Sequence, residues 1–195
     1  MARESNVPQK REQIVWALYN CLAKGGHERI TVKDIAAQAG LAHGVIHYYF
    51  KTKDEIVAAL VVAITRKYQD TMAQVLAEAG NKTDHADAVL DLLVDAFIFN
   101  KDLNRVFYNL VQMGFERAEV SRPLAAMLRA YRDTLEGVLL RDEDAQDGPS
   151  QAAVLVALIE GMALQWMIDP QSLGRDQARR LVKKALQGIR RRHDG

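Results

Sequence analysis

Residues 31–50, TVKDIAAQAGLAHGVIHYYF, constrain the fold more than any other stretch of the chain. Thr31 is a capping residue, and Asp34 three positions on comes close to completing a capping box at a helix start. Val32, Ile35, Ala36 and Ala39 recur at helical spacing and give that helix one apolar face. Gly40 can take the left-handed conformation that ends a helix and that residues with a Cβ avoid. Leu41 then plugs the turn. In the next helix Ile46 points inward and leaves His43, Gly44, Val45, His47 and Tyr48 outward. Two short helices joined by a tight turn make a helix-turn-helix, whose second helix lies in the DNA major groove.

Downstream, Thr52-x-x-Glu55 is a second capping box, which starts a long helix. At these residues the sequence resembles the TetR family of bacterial transcriptional regulators. The matching residues are Thr31, Ile35, Ala36, Ala39-Gly40, Gly44, Tyr49-Phe50 and the Lys51-x-Lys53-x-Glu55 run, and the close match covers roughly residues 10–60. The resemblance implies a three-helix DNA-binding domain followed by a larger all-helical domain that binds a ligand and dimerises. The expected DNA contacts are Thr31, His43, Gly44, Val45, His47, Tyr48 and Lys51, with Lys51 on phosphate. Two positions depart from the family pattern. Ala42 stands where Ser or Thr is usual and cannot accept a hydrogen bond from the recognition helix, a loss of about 1 kcal/mol. His47 stands where a phosphate-contacting Tyr is common; a neutral His still donates one hydrogen bond, and a protonated one adds charge. Gly44 inside a helix costs about 1 kcal/mol relative to Ala, so either close approach to DNA or close helix packing accounts for it.

The whole chain reads as all-α. Its 195 residues suffice for one or two domains with a sizeable core. The 4 prolines and 12 glycines fall mostly at helix ends, and alternating β-branched runs are absent. A net charge of +1 is low for a nucleic-acid binder, but it is unevenly spread. Lys10, Arg11, Lys24, Arg29, Lys33, Lys51 and Lys53 gather around the reading helix, whereas Asp142, Glu143, Asp144 and Asp147 form an acidic loop. The single cysteine excludes an intramolecular disulfide, and Cys21 is expected as a small buried hydrophobe of the first helix. The polar start MARESNVPQKRE does not read as a signal peptide, and no uninterrupted apolar run reaches membrane-spanning length. A cytoplasmic protein without a membrane partner is expected. His43 and His47 have a metal-ligand spacing, yet no glutamate lies between them as in a metalloprotease helix, so neither metal nor cofactor is expected.

About nine helices are expected, in a DNA-binding domain over residues 1–51 and an effector-binding and dimerisation domain over 52–195. Residues 1–8 read as a loose arm. Besides the two motif helices, the first helix is expected over 9–24 and later ones over 52–79, 83–100, 103–113, 150–168 and 175–192, with another running from Ser121-Arg122-Pro123 to about residue 140. Helix 150–168 is apolar almost all round and must be covered on several sides. With helix 175–192 it is expected to form a four-helix interface between two chains, through Leu155, Leu158, Ile159, Met162, Leu181 and Leu186. Phe97, Phe107, Tyr108, Met113, Met162 and Trp166 offer large, adaptable apolar surface for an effector pocket. The leading expectation is a homodimeric, ligand-responsive repressor, released from a near-palindromic double-stranded operator by a small apolar effector. A helical adaptor that binds only protein is the alternative. An enzyme is not expected, since no Ser/His/Asp order, Gly-rich phosphate loop or metal cluster supports one.

Overall fold

The computed structural model describes residues 6–25, 30–80, 82–140 and 148–191. Most of the N-terminal arm, Arg29 of the basic cluster and the acidic loop from Asp142 to Asp147 lie outside the described residues. Every regular element among the described residues is helical: α1 Val7–Lys24, α2 Val32–Gln38, α3 His43–Tyr49, α4 Lys53–Glu78, α5 Lys82–Leu92, α6 Lys101–Glu116, α7 Ala118–Leu135, α8 Gly148–Ile168 and α9 Arg175–Arg191. Two π-helical segments, Leu93–Ile98 and Glu136–Leu140, prolong α5 and α7.

Two boundaries differ from expectation. α7 starts before Ser121, because the Arg117 carbonyl accepts the amides of both Val120 and Ser121 at 3.0 Å. Ser121 therefore does not cap; its hydroxyl donates to the Ala118 carbonyl at 3.3 Å. Pro123 falls inside the helix, and the donor it removes is tolerated where Glu119 is exposed to water. The expected helix over 83–100 is not continuous α-helix. Its last turn widens, and the Phe99 amide reaches back five residues to the Val94 carbonyl at 3.1 Å. Asn104, 6% exposed, closes that segment by donating Nδ2 to the carbonyls of Phe97 and Ile98 at 2.8 and 3.1 Å. Apolar periodicity carries no trace of such a turn, since one extra residue changes the phase only locally.

By packing, the chain forms two compact units that do not divide at residue 51. One comprises Met1–Arg66 with Arg105–Met127, the other Lys67–Asn104 with Leu128–Gly195. In the first, Ile14, Leu18, Leu22, Ile35, Ile46, Ile56, Leu60, Leu110 and Met113 are fully buried. α6 closes the end of α1: Arg105 donates to the Ala23 carbonyl at 3.2 Å and Asn109 to the Gly25 carbonyl at 3.5 Å. Those are terminal carbonyls that a helix cannot satisfy by itself. Arg117 pairs with Asp54 at 2.7 Å and ties the α6–α7 link to the first turn of α4.

In the second unit, Met72, Val89, Leu90, Leu93, Ile98, Leu155, Ile159, Ala178 and Val182 are buried. α8 packs on the segment Leu93–Ile98 and on α9. A ladder of ion pairs lies along α9: Arg175 with Asp95, Arg179 with Asp91, and Lys183 with Asp87 at 2.9 Å. Four-residue spacing on both sides keeps the partners in register. α8 has the length and composition of a membrane span, yet Ala152, Leu155, Val156, Ile159, Met162 and Ala163 are buried within the protein.

Candidate nucleic-acid interface

α2 begins with a complete capping box. The Asp34 amide donates to Thr31 Oγ1 at 3.2 Å, and the Thr31 amide donates back to Asp34 Oδ2 at 2.8 Å. The Thr31 hydroxyl, donating to Asp34 Oδ2 at 2.7 Å, and the Thr31 amide together hold the Asp34 carboxyl below its usual pKa. α2 ends in a Schellman turn: the Leu41 amide bonds the Ala36 carbonyl at 2.9 Å and the Gly40 amide bonds that of Ala37 at 3.1 Å. Gly40 has φ +64, the one positive value among the described residues. Glycine adopts it without the Cβ penalty.

α3 is only seven residues long, and its N-cap, Ala42, makes no side-chain hydrogen bond. The helix is instead fixed on its inner side and at its end. Ile46 is fully buried and Phe50 is 2% exposed. Arg11 donates to the Tyr49 carbonyl, and its guanidinium lies 4.0 Å over the Phe50 ring. Gln13 Nε2 donates to the Ala39 carbonyl in the turn at 2.6 Å. His43, Gly44, Val45, His47 and Tyr48 are exposed on the outer side, Tyr48 by 78%. The His43 and His47 rings meet edge to face at 5.1 Å. An ideal Cβ at Gly44 meets nothing within 4 Å, which removes close helix packing as the reason for this glycine.

Beyond α3, Lys51 is exposed and its amide donates to Glu55 Oε2 at 2.8 Å. The Glu55 amide donates to Thr52 Oγ1 at 3.1 Å. The second capping pattern is thus half as expected, with the glutamate serving the residue before the cap. Lys53 turns inward, half-buried, and donates to the Ile30 carbonyl at 2.6 Å. Burial, with Arg117 adding to it, pushes the Lys53 pKa down. It anchors the loop before α2, a role its place in a basic run does not announce. Cys21 is half-buried rather than buried, with its thiol pKa raised by desolvation.

The residues expected around an effector do not form one group. Phe107 and Tyr108, whose rings meet at 5.5 Å, and the fully buried Met113 belong to the first unit. Phe97, Met162 and Trp166 belong to the second, where Trp166 packs on Phe99 at 5.2 Å. Phe97 meets two rings that sequence reasoning missed, Tyr68 at 5.3 Å and Tyr131 at 6.0 Å. An open groove of about 470 Å³ in the same unit is lined by Val75, Glu78, Ala79, Ala88, Asp91, Leu92, Asp95 and Ala96, none of them among the expected six.

The expected dimer contacts need a correction. Leu155, Ile159, Met162 and Leu186 are at most 6% exposed and fill the chain's own core. Leu158 is half-exposed and Leu181 is 43% exposed. The open face of α8 is carried by Val154, Leu164 and Ile168. A helix apolar all round has two such faces, and sequence alone does not say which one its own fold uses.

A short helix-turn-helix with a solvent-facing second helix defines a DNA-binding regulator. Sequence comparison gives the family. The model for "Bacterial regulatory proteins, tetR family" matches residues 14–60. That for "BetI-type transcriptional repressor, C-terminal" matches residues 82–191, more than half of the chain. The chain belongs to the TetR family of bacterial transcriptional regulators. Among curated relatives it is 24% identical to the regulator PksA of Bacillus subtilis, over 97% of this chain and 94% of that one. It is 27% identical to the regulator BetI of Stenotrophomonas maltophilia, over 93% of each. The fold matches a transcriptional regulator from Pseudomonas aeruginosa PAO1 with TM-score 0.81 and 21% identity, covering 94% of this chain and 91% of that one. It also matches FadR of Bacillus subtilis, solved with stearoyl-CoA (TM-score 0.73, 21% identity, 91% and 96% covered). A regulator from Saccharomonospora viridis, solved with choline, matches with TM-score 0.76 at 18% identity, with 92% and 96% covered.

Proposed function

We propose that the chain is a homodimeric repressor acting in the cytoplasm, which reads a near-palindromic operator with α3 and leaves it when a small molecule binds. The observation that carries this is α3 itself: an uncapped helix anchored only from inside, with Gly44 open, Tyr48 78% exposed and Lys51 beside it. Among the described residues nothing packs against position 44, while a helix pressed into a groove gains from a glycine. Tyr48, with His43, Val45 and His47, reaches base edges and sugar-phosphate; Lys51 takes a phosphate. The Thr31 hydroxyl is spent on Asp34, so its contribution is to hold α2 in place.

Dimerisation supplies the second half-site, because two-fold protein symmetry demands two. Val154, Leu164 and Ile168 of α8, with Leu181 of α9, are the apolar side chains we assign to that interface. A patch of this kind is unusual on a protein that stays monomeric. Release follows if the effector favours a dimer whose two α3 helices are wrongly spaced for successive major grooves. That FadR of Bacillus subtilis and the regulator from Saccharomonospora viridis were solved with small molecules supports an effector here.

The test is selection of genomic fragments on the purified protein, followed by anisotropy titration of the fragments recovered. A two-fold symmetric motif bound by two chains is expected. Recovery without any common motif, or binding independent of salt, would count against specific DNA recognition.

A further inference from the structure

The outer face of α3 carries two histidines one turn apart. His43 opens the helix and His47 follows four residues on, so both side chains leave the same side. Both are exposed, and their rings meet edge to face with centroids 5.1 Å apart. Among the described residues neither ring makes a hydrogen bond or an ion pair. The helix is held by Ile46 and Phe50 in the core, by Arg11 on the Tyr49 carbonyl and by Gln13 on the turn, so its fold does not need the pair.

The ring separation suits a chelate. A zinc ion sits about 2.0–2.1 Å from an imidazole nitrogen, and thus about 3.2 Å from the ring centre. Two rings at about 90–110° around the ion hold their centres about 4.5–5.2 Å apart. The observed 5.1 Å lies within that range. The Cβ–Cγ axis of a histidine runs through its ring, and rotation about it is soft. An exposed ring therefore turns to aim a nitrogen while its centre stays nearly in place. No group of three or more His, Cys, Asp or Glu side chains gathers among the described residues, so the protein supplies two ligands and water the rest. Such a site is open and exchangeable, unlike the four-ligand sites that hold folds together. Imidazole suits zinc, copper and nickel, whereas magnesium and calcium prefer oxygen. The glutamate missing between the histidines is the general base of a metalloprotease and not a ligand, so its absence bears on hydrolysis and not on binding.

We propose that His43 and His47 chelate one divalent ion of the zinc, copper and nickel class, and that this ion and operator DNA compete for α3. The proposal replaces the expectation of no metal drawn from the sequence. The chelate stands on the two side chains; its competition with DNA rests on the reading of α3 as the helix that enters the groove. Chelation turns one nitrogen of each ring to the ion and away from DNA, and the ion's water shell stands where base edges would. The ion also ties together two turns of a seven-residue helix built from weak helix formers, which stabilises that helix. By linkage, ion and DNA weaken each other by the same factor.

The experiment is calorimetry on the tag-free full chain with nickel, zinc and copper chlorides, and magnesium chloride as the control. At least one of the three should bind at one ion per chain, and magnesium should give no heat. His43→Gln and His47→Gln should each weaken that ion ten-fold or more. His85→Gln, which replaces a ring that lies 2.9 Å from the Ala79 carbonyl, should not. The ion should raise the melting temperature of wild type and of His85→Gln and leave that of the other two variants unchanged. Operator fragments recovered by genomic selection are then titrated with the ion present and with EDTA. The saturating ion should lower operator affinity ten-fold or more and EDTA should restore it, while His47→Gln, weaker on DNA, should bind alike in both. Binding by none of the three ions, or ion binding that survives both α3 substitutions, would overturn the proposal. So would an operator affinity that the ion leaves unchanged or raises. Ion binding that depends on both histidines in a protein that recovers no DNA upholds the chelate and refutes the regulator reading, with the competition that rests on it.

Discussion

Replacing Gly44 by alanine separates what the fold needs from what DNA needs. Gly44 is exposed in the first turn of α3, and a Cβ added there meets nothing within 4 Å. Its φ is not in the positive region, which among the described residues only Gly40 occupies. Alanine therefore takes up the native backbone without strain. It also removes conformational freedom from the unfolded chain, which stabilises the protein by about 0.4–1 kcal/mol. For a chain of this length each kcal/mol moves Tm by about 2–4 °C, so Gly44→Ala should melt about 1–4 °C higher. The same methyl group projects where DNA would seat. A tenfold loss of operator affinity corresponds to about 1.4 kcal/mol, and at least that loss is expected. The variant should thus be more stable and bind more weakly. Calorimetric melting and anisotropy titration on one preparation read both signs. Higher Tm with undiminished affinity would show that α3 does not approach DNA at Gly44. Lower Tm would show that the space around Gly44 is not open.

Other substitutions probe the remaining links. Tyr48→Ala should weaken the operator complex at least tenfold with little change in Tm, since exposed side chains rarely matter by more than about 0.5 kcal/mol. Lys51→Ala should lower affinity for every sequence and reduce the salt slope by about one unit; unchanged binding in both variants sinks α3 as the reading head. Ala42→Ser restores an acceptor at a cap whose backbone, φ −66 and ψ 142, already suits one, and should add about 0.5–2 kcal/mol to stability in thermal denaturation. Absence of any gain would mean that the free amides of α3 are satisfied otherwise. On the dimer face, Val154, Leu164, Ile168 and Leu181 leave exposed the equivalent of a little over two whole aliphatic side chains. Covering them is worth about 3–7 kcal/mol per protomer, so Leu164→Glu should split the dimer in sedimentation; wild type already monomeric at micromolar concentration would refute the interface. Glu160 has a raised pKa, so its contribution to stability is present in full below the ordinary carboxylate pKa and lost as pH rises through the raised one. Glu160→Gln should therefore gain stability over wild type across that window, level off above it and match wild type below it; a difference independent of pH contradicts the burial.

What was legible in the sequence was mostly local. The Thr31–Asp34 box, the Gly40 turn and the inward Ile46 depend on residues at most five apart, and each occurs as the spacing implies. The start of α7 was not legible, because Ser121-Arg122-Pro123 fits a helix start and nothing local shows that the Arg117 carbonyl already serves as one. Long-range placement was harder still. Phe107, Tyr108 and Met113 share composition with Phe97 yet belong to the other unit. Tyr68 and Tyr131 each continue an apolar stripe, Ile64–Tyr68–Met72 on α4 and Met127–Tyr131–Leu135 on α7, all of them buried. Periodicity marks such residues as core.

The composition of α3 explains why so much of it must be held from outside. His, Gly, Val, Ile, His, Tyr and Tyr are all weak helix formers, and seven residues are too few for a helix to stand alone in water. Its shape is imposed by Ile46 and Phe50 in the core, by Arg11 on the Tyr49 carbonyl and by Gln13 on the turn. None of these anchors uses the outer face. Residues 43, 44, 45, 47 and 48 are therefore free to change without loss of the helix, and operator specificity can alter while the fold stays fixed. Arg11 is the exception that tests the point. It donates to the Tyr49 carbonyl and covers the Phe50 ring, and Arg11→Ala removes both contacts, so it should loosen α3 and weaken binding to all DNA sequences alike.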